Sequence, residues 1–330
     1  MAKINIRYLI LAVPVLLLLS GPALSETYIS SPVVRNELVI EPDSGRAPII
    51  RLIDTALFDI KIESYMISDN DVIKALKKAE KRGVAVHVLL EKSPSYNFGA
   101  AEQAYNELKA ASIEVEWGNP AFESTHQRSM VVDERFAVIM TMSFSRNSFY
   151  KNRDFALITN DTSKVLEILR VFDADLYRTD TIFTDNDLVW SPLNSREKIL
   201  AIIDTAKSSI DIYTEDIGDK EIEDHLTAAC GKGVRVRMLM PPNPANQTSL
   251  RPSQENLAQG GVLVQIDRDL SMRGRALISD SKTALIGSQN LTTASLDRNR
   301  ELGVIISDPG IISKLQATFE KDWKRHGKKS

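Results

Sequence analysis

Residues 49–90 read IIRLIDTALFDIKIESYMISDNDVIKALKKAEKRGVAVHVLL, and residues 199–240 read ILAIIDTAKSSIDIYTEDIGDKEIEDHLTAACGKGVRVRMLM. The tetrapeptide IDTA begins at Ile53 and again at Ile203, a shift of 150 residues, and a Gly-Val pair repeats at the same shift. Two matches at one offset predict an internal duplication of the chain.

Each copy predicts the same order of elements. An amphipathic helix carrying IDTA precedes a short strand, and a second helix ends at Gly83 or Gly233, where a glycine cap is favoured. A strand rich in β-branched residues follows each glycine. This alternation of helices and strands indicates an α/β fold with a largely parallel sheet in each copy.

The length of 330 residues predicts two domains, and 43% hydrophobic with 26% charged residues is typical of a soluble globular protein. We place the first repeat at 26–190 and the second at 191–330. Cys230 is the only cysteine of the sequence. This count excludes an intrachain disulfide and an all-cysteine metal site.

Residues 1–25 have the composition of a secretory signal peptide. Lys3 and Arg7 precede an apolar run over 8–19, and small residues stand just before Glu26. The run is short for a membrane-spanning helix, which needs about 20 residues, although an uncleaved anchor stays the alternative. We therefore expect an exported protein, either periplasmic or secreted.

Removal of this segment makes the chain more acidic. The net charge changes from −3 to −5, because Lys3 and Arg7 leave while all 44 acidic residues remain. An acidic surface has no general attraction for DNA or RNA. The net negative charge disfavours a non-specific nuclease, although a protein of this net charge can still have a local basic cleft.

The residues that carry chemistry lie in the second half of each copy. The first copy has the pattern His-x-Arg-x4-Asp, which runs from His126 through Arg128 to Asp133. The second copy has Arg-x-Arg-x4-Asp, shifted by 147 residues, at Arg273, Arg275 and Asp280. We expect the two aspartates to be structural, because each follows a strand and can hold the turn after it.

A longer pattern follows in the second copy, where residues 287–301 read GSQNLTTASLDRNRE. The first copy keeps it in decayed form, with Asn152 and Asp154 at the places of Asn299 and Glu301. Together these patterns resemble the phospholipase D superfamily. Its motif is His-x-Lys-x4-Asp followed by Gly-Ser-x-Asn-x4-Ser-x3-Asn-x-Glu, usually once per repeat, and the resemblance covers nearly the whole chain after the predicted signal peptide.

The resemblance implies an α/β fold of two α-β-α sandwich repeats, related by a pseudo-two-fold axis, with one site at their interface. It also implies phosphodiester chemistry without a metal or cofactor. One histidine attacks phosphorus to form a phosphohistidine, and another protonates the leaving alcohol. His126 is the expected nucleophile, Asp154 is expected to orient its ring, and Arg128 replaces the phosphate-binding lysine of the family.

The second copy is expected to bind substrate. Its candidate residues are Arg273, Arg275, Ser288, Asn290 and Glu301. Arg273 stands where the second histidine of the family belongs, and a guanidinium cannot exchange a proton at neutral pH. We expect Arg273 to pair with Glu301. His87, His225 and His326 do not stand at motif spacing and do not replace the missing histidine.

The loss of one histidine leaves three functions open. The first is an exported phospholipase D-like phosphodiesterase that acts on a phospholipid through a phosphohistidine. The second is a catalytically lapsed protein that binds a phosphate-bearing ligand, and the third is an exported nuclease of the same family. The expected partner is a phosphodiester, with membrane-surface contact as a further alternative and nucleic acid less favoured. We expect a monomer, since the duplicated chain supplies both half-sites.

Overall fold

The duplication in the sequence appears as two sheets with matching strands and helices. The computed structural model describes residues 34–94, 98–242 and 251–326. The predicted signal peptide, residues 1–25, lies outside these ranges. Within them, no helix combines the length and the apolar character that a membrane span requires.

The first repeat occupies the described residues up to the end of its fifth helix. Its strands are β1 (Asn36–Glu41), β2 (Asp59–Ser64), β3 (Ala85–Leu90), β4 (Glu114–Trp117), β5 (Arg128–Val132), β6 (Phe136–Met140) and β7 (Asn152–Thr159). Its helices are α1 (Ala47–Thr55), α2 (Asn70–Lys81), α3 (Phe98–Lys109), α4 (Arg146–Tyr150) and α5 (Thr162–Tyr177). The IDTA segment lies at the end of α1, as predicted.

The second repeat has the same succession of elements with one additional short strand, β12. Its strands are β8 (Leu188–Ser191), β9 (Ser209–Tyr213), β10 (Arg235–Met240), β11 (Leu263–Ile266), β12 (Ser271–Met272), β13 (Ala276–Ser279), β14 (Thr283–Gly287) and β15 (Glu301–Ile306). Its helices are α6 (Ser195–Thr205), α7 (Lys220–Gly231), α8 (Pro252–Gln259), α9 (Thr293–Asp297) and α10 (Pro309–His326). The second sheet thus begins at Leu188, slightly before the limit of 191 placed from the sequence.

The two sheets share one strand order. The first runs β1-β7-β6-β5-β2-β3-β4, and the second runs β8-β15-β14-β13-β9-β10-β11. The short strand β12 of the second repeat pairs with β7 of the first. The common order confirms the predicted α/β fold with two repeats.

The expectation of largely parallel sheets is wrong. In the strand orders given above, the parallel pairs join β2, β3 and β4 or β9, β10 and β11, and the other neighbours are antiparallel. The short pair of β12 and β7 is also parallel. The cause lies in the motif segment, where Asp133 and Glu134 have φ of 53° and 49°. Two successive left-handed residues form the tight turn of an antiparallel hairpin, here between β5 and β6. Asp280 and Ser281 repeat this turn between β13 and β14.

The two aspartates of the motif hold these hairpins, as predicted. Asp133 Oδ1 accepts a hydrogen bond from the backbone N–H of Phe58 at 2.7 Å. Asp280 Oδ1 accepts one from the backbone N–H of Ser208 at 2.7 Å. Each carboxylate therefore ties its hairpin to the turn between the IDTA helix and the next strand, so both residues are structural.

An apolar core joins the two repeats. It contains buried side chains from β5, β6 and β7 and from β13, β14 and β15, together with residues of α5 and α10. Phe155, Trp190, Tyr213 and Phe319 are its largest members. Full burial of a large apolar side chain contributes roughly 1.5–3 kcal/mol, so this core fixes the repeats against each other and with them the residues at their interface.

Candidate active site

A cavity of about 340 Å³ lies between the two repeats. Six of the eight predicted site residues line it: His126, Arg128, Asp154, Arg273, Arg275 and Asn290. The remaining two, Ser288 and Glu301, are not among the residues that line the cavity. The structure therefore brings together residues that are far apart in the sequence, as the resemblance implied.

Backbone hydrogen bonds across the interface hold both motif segments at the cavity. The N–H of His126 donates to the carbonyl of Arg300 at 3.0 Å, and the N–H of Arg300 donates to the carbonyl of Ser124 at 2.9 Å. In the same manner, the N–H of Arg273 donates to the carbonyl of Arg153 at 3.2 Å. Residues 126 and 273 thus occupy equivalent positions about a pseudo-two-fold axis.

The ring of His126 is held at both nitrogens. Its Nδ1 lies 2.9 Å from Oε2 of Glu301, and its Nε2 lies 2.9 Å from Nη2 of Arg128. A guanidinium can only donate, so Nε2 carries the lone pair and Nδ1 carries the proton that is donated to Glu301. The ring edge also packs against Tyr65, with centroids 4.9 Å apart. This tautomer places a nucleophilic nitrogen in the cavity wall.

The surroundings of His126 favour the neutral ring. Burial and the positive charge of Arg128 lower the pKa of His126 to about 4, although Glu301 acts in the opposite direction. The imidazole is therefore unprotonated at neutral pH, as a nucleophile must be.

Glu301 orients His126, and this corrects two predictions. The sequence assigned that role to Asp154 and paired Glu301 with Arg273. Glu301 Oε2 instead accepts a hydrogen bond from Nδ1–H of His126, and Oε1 accepts from Ser295 Oγ at 2.5 Å. Burial opposes ionisation, but the interactions with His126 and Ser295 hold the pKa of Glu301 below its usual value. The orienting carboxylate comes from the other repeat, because the pseudo-two-fold packing places the segment that contains His126 next to β15, which begins at Glu301.

Arg128 supplies positive charge beside the nucleophile. Its Nε donates to Ser143 Oγ at 3.2 Å and its Nη2 to His126. Its buried Nη1 has no hydrogen-bond partner in the described part of the chain. Burial and the nearby charge of Arg275 lower the pKa of Arg128 to about 9, so it remains a cation at neutral pH. A buried donor of this kind is suited to a phosphate oxygen.

Arg275 lies in the cavity wall and is tied to the protein at several atoms. Its Nε donates to Asn290 Oδ1 at 2.8 Å, and its Nη1 donates to the carbonyl of Thr141 at 3.0 Å. Its Nη2 forms an ion pair with Glu215. Arg275 therefore orders the second-repeat side of the cavity and contributes charge to it.

Arg273 also pairs with Glu215, in place of the predicted Glu301. Its side chain is 39% exposed, and its backbone N–H is bonded across the interface like that of His126. Among the described side chains in the cavity wall, His126 is the only histidine. The second half-site thus has a carboxylate-paired arginine where the first has an imidazole.

Ser288 does not reach the cavity, and its predicted role in substrate binding is wrong. The residue is fully buried, and its hydroxyl accepts a hydrogen bond from the N–H of Leu302 at 3.2 Å. The backbone N–H of Ser288 donates to the carbonyl of Leu302 at 2.9 Å. Ser288 therefore fixes the start of β15, where Glu301 precedes Leu302.

Asp154 lines the cavity without contacting His126. Its Oδ1 accepts from Thr141 Oγ1 at 2.7 Å. Burial raises the pKa of Asp154, although Thr141, Arg275 and Arg128 act against that rise. Asp154 therefore belongs to the second half-site. The equivalent residue of the second repeat, Glu301, belongs to the first half-site.

Sequence reasoning did not select several polar residues of the wall as site residues, among them Tyr65, Thr141, Ser143 and Glu215. The repeat shift could have indicated Glu215, which stands 150 residues after Tyr65 and follows an equivalent strand. Elsewhere in the described ranges, no three His, Cys, Asp or Glu side chains are grouped so as to hold a metal ion. What the cavity offers is one neutral imidazole, a buried cation and a buried carboxyl group.

The chain is similar to several characterised proteins. It is 26% identical to the polyphosphate kinase of Salmonella typhimurium over an alignment of 308 positions, which covers 85% of this chain and 44% of that protein. It is 22% identical to cardiolipin synthase 1 of Bacillus anthracis over an alignment of 360 positions, which covers 92% of this chain and 68% of that protein. The chain therefore spans less than half the length of the Salmonella typhimurium polyphosphate kinase.

Solved structures have the same fold. The polyphosphate kinase of Porphyromonas gingivalis superposes with a TM-score of 0.67 at 18% identity, over 87% of this chain and 50% of that one. The phosphatidylserine synthase of Haemophilus influenzae superposes with a TM-score of 0.66 at 13% identity, over 88% of this chain and 85% of that one.

The family comparison covers both repeats. A family model described as "Cardiolipin synthase, PLD-like domain" matches residues 49–176 and again residues 199–323. These matches coincide with the two sheets and include both motif segments. The chain is therefore a member of the cardiolipin synthase PLD-like domain family, within the phospholipase D superfamily.

Proposed function

We propose that this protein transfers a phosphoryl group from a phosphodiester through a covalent intermediate on His126. The observation that carries the proposal is the state of the His126 ring. Nδ1–H is held by Glu301 and Nε2 presents its lone pair beside the cation of Arg128. This is the arrangement that a histidine nucleophile requires.

The first step follows from these contacts. A phosphodiester entering the cavity takes the donors of Arg128 for its non-bridging oxygens, and Nε2 of His126 is released to attack phosphorus. The P–N bond forms as the P–O bond to the leaving group breaks, and the imidazole gains positive charge. The carboxylate of Glu301, at 2.9 Å from Nδ1, stabilises that charge.

A phospholipid is the proposed substrate. Two of the similar proteins are named for phospholipid synthesis, a cardiolipin synthase and a phosphatidylserine synthase. The acidic balance of the sequence disfavours a nucleic acid. We also propose that the protein acts outside the cytoplasm, on the basis of the signal-like segment at residues 1–25.

A phosphoanhydride such as inorganic polyphosphate is the second candidate substrate. The observation in its favour is the side chain at position 273, which is a carboxylate-paired arginine. An arginine does not donate a proton at neutral pH, and a phosphate leaving group does not require one. Several similar proteins are named polyphosphate kinase.

A substrate panel on the full chain tests this proposal. The panel contains phosphatidyl-p-nitrophenol, phosphatidylglycerol in vesicles, bis(p-nitrophenyl) phosphate and inorganic polyphosphate with ADP. It compares the wild type with His126→Ala. The matched control is His225→Ala, because His225 pairs with Asp204 on the surface and lies outside the cavity.

We expect the wild type and His225→Ala to turn over a phosphatidyl substrate, and His126→Ala to lose that activity. Turnover of polyphosphate alone would favour the second candidate. If the wild type turns over none of the four but binds phosphate-bearing ligands, the chain is a lapsed binding protein and the enzymatic proposal is wrong.

A further inference from the structure

Asp154 and Glu301 are equivalent residues with unlike surroundings. Each lies near the start of the strand that follows the short motif helix, and each is fully buried. Glu301 faces the imidazole of His126. The residue that should face Asp154 by the same symmetry is residue 273, which is an arginine paired with Glu215. Asp154 is thus a carboxyl group whose expected imidazole partner is missing.

The second oxygen of Asp154 is left without a partner by this loss. Oδ1 accepts from Thr141, and the side chain of Asn152 also lowers the pKa of this carboxyl group, but the buried Oδ2 makes no hydrogen bond of normal geometry among the residues that the structure describes. Asp154 lines the same cavity as His126. A buried polar atom without a partner requires an explanation in a native structure, and a functional group facing a substrate is one.

We propose that Asp154 donates the proton that the leaving oxygen needs, in the role that the second histidine has in the family. The proposal rests on the proposed function, because it needs a phosphodiester attached to His126. In the first step, Nε2 attacks phosphorus, the P–O bond breaks, and the leaving oxygen takes the proton of the Asp154 carboxyl group. In the second, Asp154 takes a proton from water, whose oxygen attacks phosphorus as the P–N bond breaks. His126 and Asp154 then return to their starting states.

The charges around Asp154 are compatible with this role. Burial favours the protonated form, whereas Thr141, Arg275, Arg128 and Asn152 favour the ionised carboxylate. Glu41, the Cα partner of Asp154 on β1, has a pKa raised to about 8 and is itself largely protonated at neutral pH. Burial is the largest of these effects, so the pKa of Asp154 is raised. A carboxyl group that holds its proton above the usual range is a better general acid near neutral pH.

The other polar groups of the wall are less suited to the role. Arg273 and Arg275 are arginines, which do not exchange protons at neutral pH. Arg128 lies 2.9 Å from Nε2 of His126, so its charge stands beside the nucleophile and not beside the leaving oxygen. Glu215 is held as the counter-ion of two of these arginines. Tyr65 packs against the His126 ring, on the side of the nucleophile.

Leaving-group dependence in Asp154→Asn tests the proposal. Phosphatidyl-p-nitrophenol and phosphatidylglycerol share the phosphatidyl group, but the first expels a stable phenolate and the second an alkoxide. We expect single-turnover release of glycerol to fall by about 10²–10⁴-fold. The burst of nitrophenolate should fall by less than about tenfold, because that leaving group needs little protonation. The exposed carboxylate variant Asp43→Asn is the control and should match the wild type with both substrates.

The outcomes separate the two proposals. Equal losses on both substrates, or no loss on either, would overturn the role of Asp154 as proton donor. A wild type that transfers no phosphatidyl group, or a His126→Ala variant that still does, would overturn the proposed function as well. Trapped phosphohistidine in Asp154→Asn with the nitrophenyl substrate would show that this variant is folded and that its nucleophile works.

A second variant keeps the test valid if Asp154→Asn does not fold. Thr141→Val removes the hydroxyl donor that lowers the pKa of Asp154. The basic limb of the glycerol-release rate should therefore move to higher pH, while the nitrophenolate burst keeps its pH profile. An unmoved basic limb would contradict the proposal, because a merely structural threonine has no reason to change it.

Discussion

His126 of the first repeat donates its Nδ1–H to Glu301 of the second, at 2.9 Å and across 175 residues of sequence. The bond exists only because the two repeats pack face to face. It fixes the tautomer in which Nε2 is free of a proton, and it supplies the negative charge that a phosphorylated imidazole needs. The first half-site is therefore shared by both copies of the duplication.

Replacing Glu301 by Gln should remove this support while keeping the shape of the side chain. An amide can donate to Nδ1, which moves the ring proton to Nε2 and blocks the nucleophile. We expect kcat with phosphatidyl-p-nitrophenol to fall by about 10³–10⁴-fold, as for other carboxylates that orient a catalytic histidine. Steady-state kinetics measure this, with the exposed Glu123→Gln as control. A rate within tenfold of the wild type would show that Glu301 does not orient the nucleophile.

The pH dependence of the same reaction should report the pKa of His126. Because burial and Arg128 lower that pKa to about 4, the rate should rise as pH increases through about 4 and stay high at neutral pH. In Arg128→Gln a positive neighbour is lost, so protonation becomes easier and this acidic limb should move towards 6.5, the ordinary value for histidine. An acidic limb near 6.5 in the wild type would contradict the described surroundings of the ring.

Restoring a histidine at position 273 should add a second proton donor. The backbone there is held like that of His126, so the imidazole of Arg273→His should face Asp154. We expect glycerol release from phosphatidylglycerol at pH 7 to rise, by severalfold to about 100-fold. The nitrophenolate burst should change little. Stopped or quenched single-turnover assays measure both rates, and an unchanged glycerol rate at every pH would show that protonation does not limit the reaction.

Glu41 predicts a pH-dependent change in stability. It is fully buried, and burial raises its pKa to about 8. The folded state therefore holds a proton that the unfolded state releases above about pH 4.5. The free energy of unfolding should fall as pH rises towards 8, by at most about 1.4 kcal/mol per pH unit. Glu41→Gln removes the titratable group and with it this loss of stability at higher pH. The Tm of the variant relative to the wild type should therefore rise between pH 5 and pH 8.

Thermal denaturation at several pH values measures this effect. The control is Glu37→Gln on the same strand, since Glu37 is exposed and pairs with Arg51. It should show no growing advantage. A difference between Glu41→Gln and the wild type that stays constant with pH would contradict a raised pKa for Glu41.

The fold could be predicted from the sequence because the same pattern of helix and strand signals occurs in both copies of the duplication. Helix caps, IDTA helices and turn aspartates recur at fixed shifts, and each of these features reports local structure. The antiparallel pairing of the central strands was not predicted from the sequence. It depends on the left-handed turn at Asp133 and Glu134, and an Asp-Glu pair is not a typical sequence for such a turn.

The sequence predicted which residues lie at the site, but not which of them contact each other. Motif spacing aligns His126 with Asp154 within one copy, whereas the two-fold packing faces His126 with Glu301 of the other. Ser288 belongs to the motif and still points away from the cavity, because its side chain meets the backbone of Leu302. Spacing along the chain records neither the partner of a side chain nor the face on which it lies.

Covalent trapping on the nucleophile is the most direct test of the central claim. The full-length protein is mixed with phosphatidyl-p-nitrophenol, quenched during the burst, digested under conditions that preserve phosphohistidine, and mapped by tandem mass spectrometry. We predict a phosphatidyl adduct on His126 in the wild type and in His225→Ala. Rapid nitrophenolate release with no adduct on His126, or with an adduct on another residue, would contradict the account.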